Sequence, residues 1–289
     1  MHSLVHPVLT WFATEARDLP WRAQDRTPWG VLVSEVMLQQ TPVRRVEPLW
    51  REWMARWPDA PALAAAGTAD VLRAWGGLGY PRRALRLQEC ARVVVTRHGG
   101  SLPTSAPELL ALPGIGTYTA AAVLAFAYGR HAVVVDTNVR RVLARAVDGG
   151  ALPPPHLGTA EMRRAAEVVP GDDATASAWN AAVMELGALV CTARAPDCSR
   201  CPVEAMCAWR AAGNPAGTVV PRRQAWHGTD RQVRGRIMSA LRAAPGPLPV
   251  SAVASDWPDH EQRARAVLGL VADGLLVHDD AAGTYSLPA

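Results

Sequence analysis

LPGIGTYTA, residues 112–120, lies between two stretches of helical periodicity, and its reading decides the fold around it. Gly114 and Gly116 permit a tight turn whose backbone N–H groups point outward at the start of the next helix. Such a nest holds a phosphate without reading base sequence. Taken alone, the same turn also serves as an ordinary connector between helices. On both sides, apolar residues recur at three- and four-residue steps over Pro28–Gln40, Pro42–Trp57, Thr68–Trp75, Arg82–Arg97 and Thr117–Tyr128. Pro and Gly clusters separate these runs at Ala66–Gly67, Gly99–Pro103 and Leu112–Gly116. Only Ala132–Val135 reads as a strand, and it is short. Residues 1–212 are therefore expected to form a mostly α-helical domain.

The 289 residues are 49% hydrophobic and 19% charged, a globular balance with room for one large domain and a small one. No segment reaches the roughly 18 unbroken apolar residues of a membrane span. The N-terminus lacks a signal-peptide pattern, so a cytoplasmic protein is expected. Net charge is +4 with a pI near 9.0, a mild lean toward polyanionic partners. All 30 basic side chains are arginine, because the sequence contains no lysine. That excludes any mechanism that needs a lysine Schiff base.

Periodicity is lost over residues 213–228, where Gly, Pro and Arg gather as in a linker. Residues 229–289 then read as a separate α/β unit. Helices are expected at Arg231–Arg242, Val250–Asp256 and Glu261–Asp273, followed by two short strands around a turn in LLVHDDAAGTYSL. That order resembles a winged helix. Six arginines against seven acids give this unit a net charge of −1, so it does not read as an obvious DNA clamp.

Four of the five cysteines, Cys191, Cys198, Cys201 and Cys207, fall in the spacing C-x6-C-x2-C-x5-C. In a cytoplasmic setting such clustering favours metal over disulfides. Only Cys198 and Cys201 form the pair that zinc sites normally repeat, whereas uneven gaps suit a cubane. Zinc stays as the alternative metal. Cys90, on an amphipathic run, reads as a small buried hydrophobe. The cysteine spacing resembles that of the endonuclease III superfamily, which implies a [4Fe–4S] cluster in the loop 191–207. Arg194, Arg200 and Arg210 stud the loop, either facing phosphates or simply solvated on a structural staple.

Two carboxylates stand out. Asp136 follows the apolar run AVVV and precedes NVRRVLARAV, the position of a helix N-cap. A carboxylate there can also stabilise positive charge building on a deoxyribose as its base departs, the logic of glycoside cleavage. Glu35 lies in SEVMLQQT among apolar neighbours on an expected helix. It is either the solvent-facing residue or, if it faces a cleft, a buried proton donor. Adenine leaves far more readily once N7 is protonated.

SEVMLQQT, LPWR at Leu19–Arg22, GLGY at Gly77–Tyr80, LPGIGTYTA, DTNVRRVLAR and the cysteine loop occur in the order found in the MutY-type adenine DNA glycosylases. The resemblance covers roughly residues 7–212 and implies a two-lobed helix-hairpin-helix glycosylase domain with an iron–sulfur loop. It implies Glu35 as the acid on adenine, Asp136 as the sugar-facing carboxylate, and Asn138 positioning Asp136. Tyr118 would stand where lyase relatives carry lysine, in keeping with the absence of lysine here. Gln40 and Tyr80 would wedge into the duplex, with Thr41 beside them, and Gly114 and Gly116 would grip the backbone. Trp21, Arg22 and Leu38 would line the pocket of the flipped adenine.

The sequence departs from the family pattern at Thr137, where a glycine is usual, at Pro81 after Tyr80, and at Ala181 in WNAAVMELG. Its tail is too short and too helical for the Nudix-like domain that reads 8-oxoguanine in many relatives. The expected partner is double-stranded DNA with adenine mispaired with 8-oxoguanine or guanine, acted on by a monomer away from membranes. A thymine–guanine mismatch glycosylase of the same superfamily is the alternative enzyme. A helix-hairpin-helix DNA-binding protein with a structural metal is the alternative without catalysis.

Overall fold

The computed structural model describes residues 2–217 and 226–289. Its helices are α1 (Val5–Glu15), α2 (Pro28–Leu38), α3 (Val43–Arg56), α4 (Ala60–Ala64), α5 (Thr68–Trp75), α6 (Arg82–His98) and α7 (Ala106–Leu110). They continue with α8 (Thr117–Phe126), α9 (Thr137–Ala146), α10 (Thr159–Val168), α11 (Asp173–Leu189), α12 (Ala208–Ala211), α13 (Asp230–Ala243) and α14 (His260–Ala272). The expected helices of the first domain are all present, within one or two residues at most ends. The boundaries have local causes. Asp59, Asp136, Asp172 and Asp259 cap α4, α9, α11 and α14, each carboxylate accepting the backbone N–H three residues on at 2.7–2.9 Å. Each such cap contributes about 1 kcal/mol. At the other end of α6, Gly99 turns left-handed at φ 61° and the Gly100 N–H returns to Val94 O at 3.1 Å.

The chain folds into two compact units. The first comprises Met1–Leu32, Thr104–Leu110 and Ile115–Arg222. Its centre is α11, which packs on α1, α8 and α9. Val5, Val8 and Trp11 of α1 meet Val139, Val142 and Leu143 of α9 and Trp179, Val183 and Leu186 of α11 in one core. Helix α7 packs on α8 across the 112–116 turn, so the expected helix-hairpin-helix is formed.

The second unit comprises Val33–Pro103, Ala111–Gly114 and Arg223–Ala289. Trp53 anchors it, edge-on to Trp57 at 4.7 Å and to Trp75 at 5.6 Å. Burying a side chain of that size is worth about 2–3 kcal/mol. The tail belongs to this unit, with α13 packed on α5 and α14. Ile237 and Leu241 of α13 and Leu270 of α14 are fully buried. An antiparallel sheet in the order β1 (Leu248–Pro249), β3 (Thr284–Ser286), β2 (Val277–Asp279) completes the winged-helix-like arrangement.

Two expectations are corrected. Ala132–Val135 forms no strand and joins no sheet among the described residues. Its backbone is satisfied by α11 instead: Asn180 Nδ2 donates to Ala132 O at 2.8 Å, and Val134 N donates to Asn180 Oδ1 at 3.3 Å. Val250–Asp256 is no helix beyond one 3-10 turn at Val250–Ala252, because Ala254 takes φ 49°, which breaks the helical path. The expected linker is partly described, and residues 213–217 and 226–228 hold no helix or strand; residues 218–225 lie outside the described residues.

Candidate functional site

Asp136 occupies the N-cap of α9, and the capping role and the expected catalytic role coincide in one geometry. Its Oδ1 accepts Val139 N at 2.7 Å and its Oδ2 accepts Asn138 Nδ2 at 2.8 Å. Asn138 is held in turn by Arg141, whose Nη2 donates to Asn138 Oδ1 at 2.7 Å. The same guanidinium donates to Gly187 O and Cys191 O, both at 2.6 Å. Burial raises the Asp136 carboxyl above its ordinary range, opposed by the Val139 and Asn138 donors and the Arg141 charge. The result is a carboxylate aimed by its neighbours and poorly supplied with water. Gly187 makes the arrangement possible, because a Cβ there would stand 2.7 Å from Asn138 Cβ and 2.8 Å from Asn138 O. Tyr118, on α8, packs against Ala122, Ala125 and Val134.

Glu185, which the sequence did not single out, organises the segment that contains Arg22. It is 1% exposed and accepts Arg17 Nε and Nη2 at 2.7 Å and Arg22 Nη2 at 3.0 Å. Burial alone would push this carboxyl up; the hydrogen bonds and charges of Arg17 and Arg22 outweigh it and bring it down to about 2. Arg22 Nη1 stays buried with no hydrogen-bond partner among the described residues. Trp21, beside it, is buried.

The cysteine loop belongs to the same unit. Cys191, Cys198, Cys201 and Cys207 are free thiols, and all four line one small pocket with Arg145 and Arg210. Burial pushes the Cys201 thiol up to about 11. Arg145, 3% exposed, sits under the loop. Its Nη1 lies 3.4 Å from Cys191 Sγ and donates to Thr192 O at 2.7 Å, while Nε donates to Ala151 O at 2.9 Å. Among the described residues no three side chains reach metal-ligand geometry. Cys90 lies elsewhere, wholly buried on α6, its thiol pushed up by burial to about 12.

In the second unit Glu35 is 6% exposed on α2, which removes the solvent-facing alternative. Gln40 and Tyr80 both adopt the left-handed region, at φ 55° and 47°, and both are exposed. Arg83 fixes the two loops that carry them, and no local signal marked it. Its Nη1 donates to Val36 O at 2.8 Å, Met37 O at 3.1 Å and Gln39 O at 2.6 Å, capping the end of α2. Its Nη2 reaches Gly79 O at 3.0 Å and Thr41 Oγ1 at 3.2 Å. Burial lowers the Arg83 guanidinium to about 10. Thr41 is buried inside this arrangement, so it supports the loop rather than presenting a surface. Leu38 ends α2, half-buried.

In the hairpin Gly114 has φ 76°, and a Cβ there would meet Arg86 Cβ at 3.0 Å. A Cβ on Gly116 would meet no atom within 4 Å, and this residue begins α8 with no side-chain cap.

Residues 33–162 match the HhH-GPD superfamily of base excision DNA repair proteins. An adenine DNA glycosylase of Mycolicibacterium smegmatis is 52% identical over 281 residues, covering 97% of this chain and 94% of that protein. The human adenine DNA glycosylase is 45% identical over 208 residues, covering 69% of this chain and 38% of that protein. Among solved structures, a thermostable thymine-DNA glycosylase matches with a TM-score of 0.65 and 31% identity, covering 72% of this chain and 95% of that one. The chain belongs to the HhH-GPD superfamily and, within it, to the adenine DNA glycosylases.

Proposed function

We propose that the chain flips adenine mispaired with 8-oxoguanine or guanine out of duplex DNA and hydrolyses its N-glycosidic bond without cutting the strand. The observation that carries this reading is the Asp136 carboxylate, locked by Val139 N and Asn138 Nδ2 and raised by burial. An anion poor in water interacts strongly with a cation that develops beside it, so Asp136 stabilises the sugar cation in the transition state. Glu35, buried in its motif, donates a proton to N7 of adenine. Arg22 Nη1, a buried donor with no hydrogen-bond partner among the described residues, is available to the flipped base, next in the chain to the buried Trp21, and Leu38 is assigned to the same pocket by the family resemblance. By the family resemblance, Tyr118 stands where the bifunctional members of the endonuclease III superfamily carry a lysine. With no lysine in the chain, a lysine Schiff base cannot form.

Four free thiols around one pocket, braced by Arg145, support a [4Fe–4S] cluster on Cys191, Cys198, Cys201 and Cys207. The donor set is all sulfur, which suits that cluster, and its chemistry there is to cross-link the loop. No step of base release passes through it. No helix among the described residues is long and apolar enough to cross a membrane. A cytoplasmic monomer fits a reaction with one pocket per lesion.

Single-turnover base release tests the reading on duplexes bearing adenine opposite 8-oxoguanine, guanine or cytosine, beside thymine opposite guanine. Glu35→Gln and Asp136→Asn are expected to lose about 10²–10⁴-fold in rate. Excision of adenine at the wild-type rate by both variants would overturn the assignment. Strand breaks without alkali would overturn the lyase-free mechanism, and preferential thymine release would favour the mismatch alternative. Broad visible absorbance with iron and sulfide in the purified protein is expected; a colourless zinc protein would refute the cluster.

A further inference from the structure

The tail carries a net charge of −1, yet its charges are not spread evenly. Helix α13 turns Arg231, Arg234, Met238 and Arg242 toward one cavity, the three- and four-residue steps of a single helical face. The opposite wall is the Gly76–Arg83 segment with Gln40, Arg45 and Arg86. The cavity measures about 1260 Å³. That exceeds the roughly 300–1,000 Å³ of small-molecule pockets and suits a length of polymer.

Among the described residues eight arginines and one acid, Asp273, line this cleft. Asp273 is shared by Arg82 and Arg234, and Arg236 pairs with Asp256 at 2.6 Å. Among the described residues Arg45 and Arg83 bond to main-chain carbonyls and to the Thr41 hydroxyl and have no carboxylate partner. Among the described residues Arg86, Arg231 and Arg242 have no carboxylate partner. Arg231 stacks 5.3 Å from both the Tyr80 and Trp226 rings, holding a cation directly on the exposed residue of the 76–83 segment. The tail's remaining acids, Asp230, Asp259, Glu261, Asp279 and Asp280, lie off the cleft. Burial lowers the Arg242 guanidinium, a cost that an incoming anion offsets.

We propose that this cleft receives the phosphodiester backbone of the duplex, with the C-terminal unit as one of its walls and Arg231 and Arg242 as its phosphate contacts. The inference rests on the reading of the chain as a DNA glycosylase. Forked guanidinium groups match phosphate oxygens in pairs, and a cleft flanking Gln40 and Tyr80 lies where the backbone beside a wedged site would pass. The tail thereby contributes to DNA affinity through the placement of its charge, although its net charge points the other way.

Fluorescence anisotropy of the full chain on a labelled duplex carrying adenine opposite guanine tests this, across a salt series. Each lost phosphate contact lowers the salt slope by about 0.9 and affinity by about 8-fold at 0.1 M salt. The double variant Arg231→Ala/Arg242→Ala is expected to bind roughly 60-fold more weakly, with a slope smaller by about 1.8. Arg231→Lys/Arg242→Lys, which keeps both charges, should hold the wild-type slope even if the alanine pair disturbs the fold. Arg265→Ala on α14, outside the cleft, should bind within about twofold of wild type. Wild-type binding by the alanine pair, loss of slope in the lysine pair, or an equal loss in Arg265→Ala would each overturn the proposal. Adenine release by the unaltered chain decides the functional reading separately, because it can persist while this cleft is refuted and can fail while the salt slope still responds.

Discussion

Replacing Gly187 with alanine places a methyl carbon 2.7 Å from Asn138 Cβ, 2.8 Å from Asn138 O and 3.0 Å from its carbonyl carbon. Unstrained contacts of this kind lie near 3.5–4.0 Å, so α11 and the first turn of α9 must separate by about 1 Å. Two of the three obstructing atoms are backbone, so a rotamer change cannot relieve them. Overpacking of this kind costs about 1–3 kcal/mol, which lowers Tm by roughly 2–5 °C in a chain of this size. The larger effect falls on chemistry, since Asn138 holds the Asp136 carboxylate at 2.8 Å and Arg141 ties Asn138 to Gly187 O. A shift of 1 Å in a catalytic group is worth about 10²-fold in rate. Single-turnover adenine release by Gly187→Ala, measured well below its own Tm, should therefore fall about 100-fold while the duplex Kd stays within a few-fold. A variant with wild-type rate and Tm would refute the claim that this contact positions Asp136.

Arg83→Lys replaces a planar fork by a point charge that cannot span two loops, and should cost about 2 kcal/mol in stability and weaken duplex binding. Equal Tm and Kd would show the fork to be dispensable. The Glu185 carboxyl is depressed from 4.5 to about 2 in the folded state. Its stabilisation of about 3 kcal/mol is thus complete above pH 4.5 and lost as pH falls toward 2. Urea unfolding of Glu185→Gln beside wild type should show a stability gap that narrows across that window; a gap of constant size would refute the ion-pair account. Cys90, with its thiol pushed up to about 12 and no exposure, should resist alkylation in the native protein until unfolding.

Local patterning made much of the fold legible. Apolar residues at helical spacing, ended by Gly and Pro and begun by Asp caps, located the main helices within a few residues. Asp136 was readable as a helix cap, which the structure shows, and its catalytic role is part of the proposed function. What stayed hidden depends on contacts between distant residues. Arg83 reaches back to Val36 and Gln39, Arg141 reaches forward to Cys191, and Glu185 pairs with Arg17 across 168 positions. Nothing local distinguishes these arginines from the others in a chain whose every basic side chain is arginine. Ala132–Val135 misled for the same reason. Its β-branched run reads as a strand, but the partner for its backbone is the Asn180 side chain, 46 residues from Val134. The net charge of the tail says nothing of where its charges sit, because a sum conceals which face of α13 the arginines occupy.

Arg83 has a mechanical consequence. Gln40 and Tyr80 each hold a left-handed backbone that costs about 1–2 kcal/mol, and one planar group fastens both loops. Neither loop can relax without pulling that group from the carbonyls of the other. Load applied to one is shared by both, and release is all-or-none rather than stepwise. Over evolutionary time the two loops form one heritable part: a change of length or course in either must be matched in its partner, because the fastener has a fixed span.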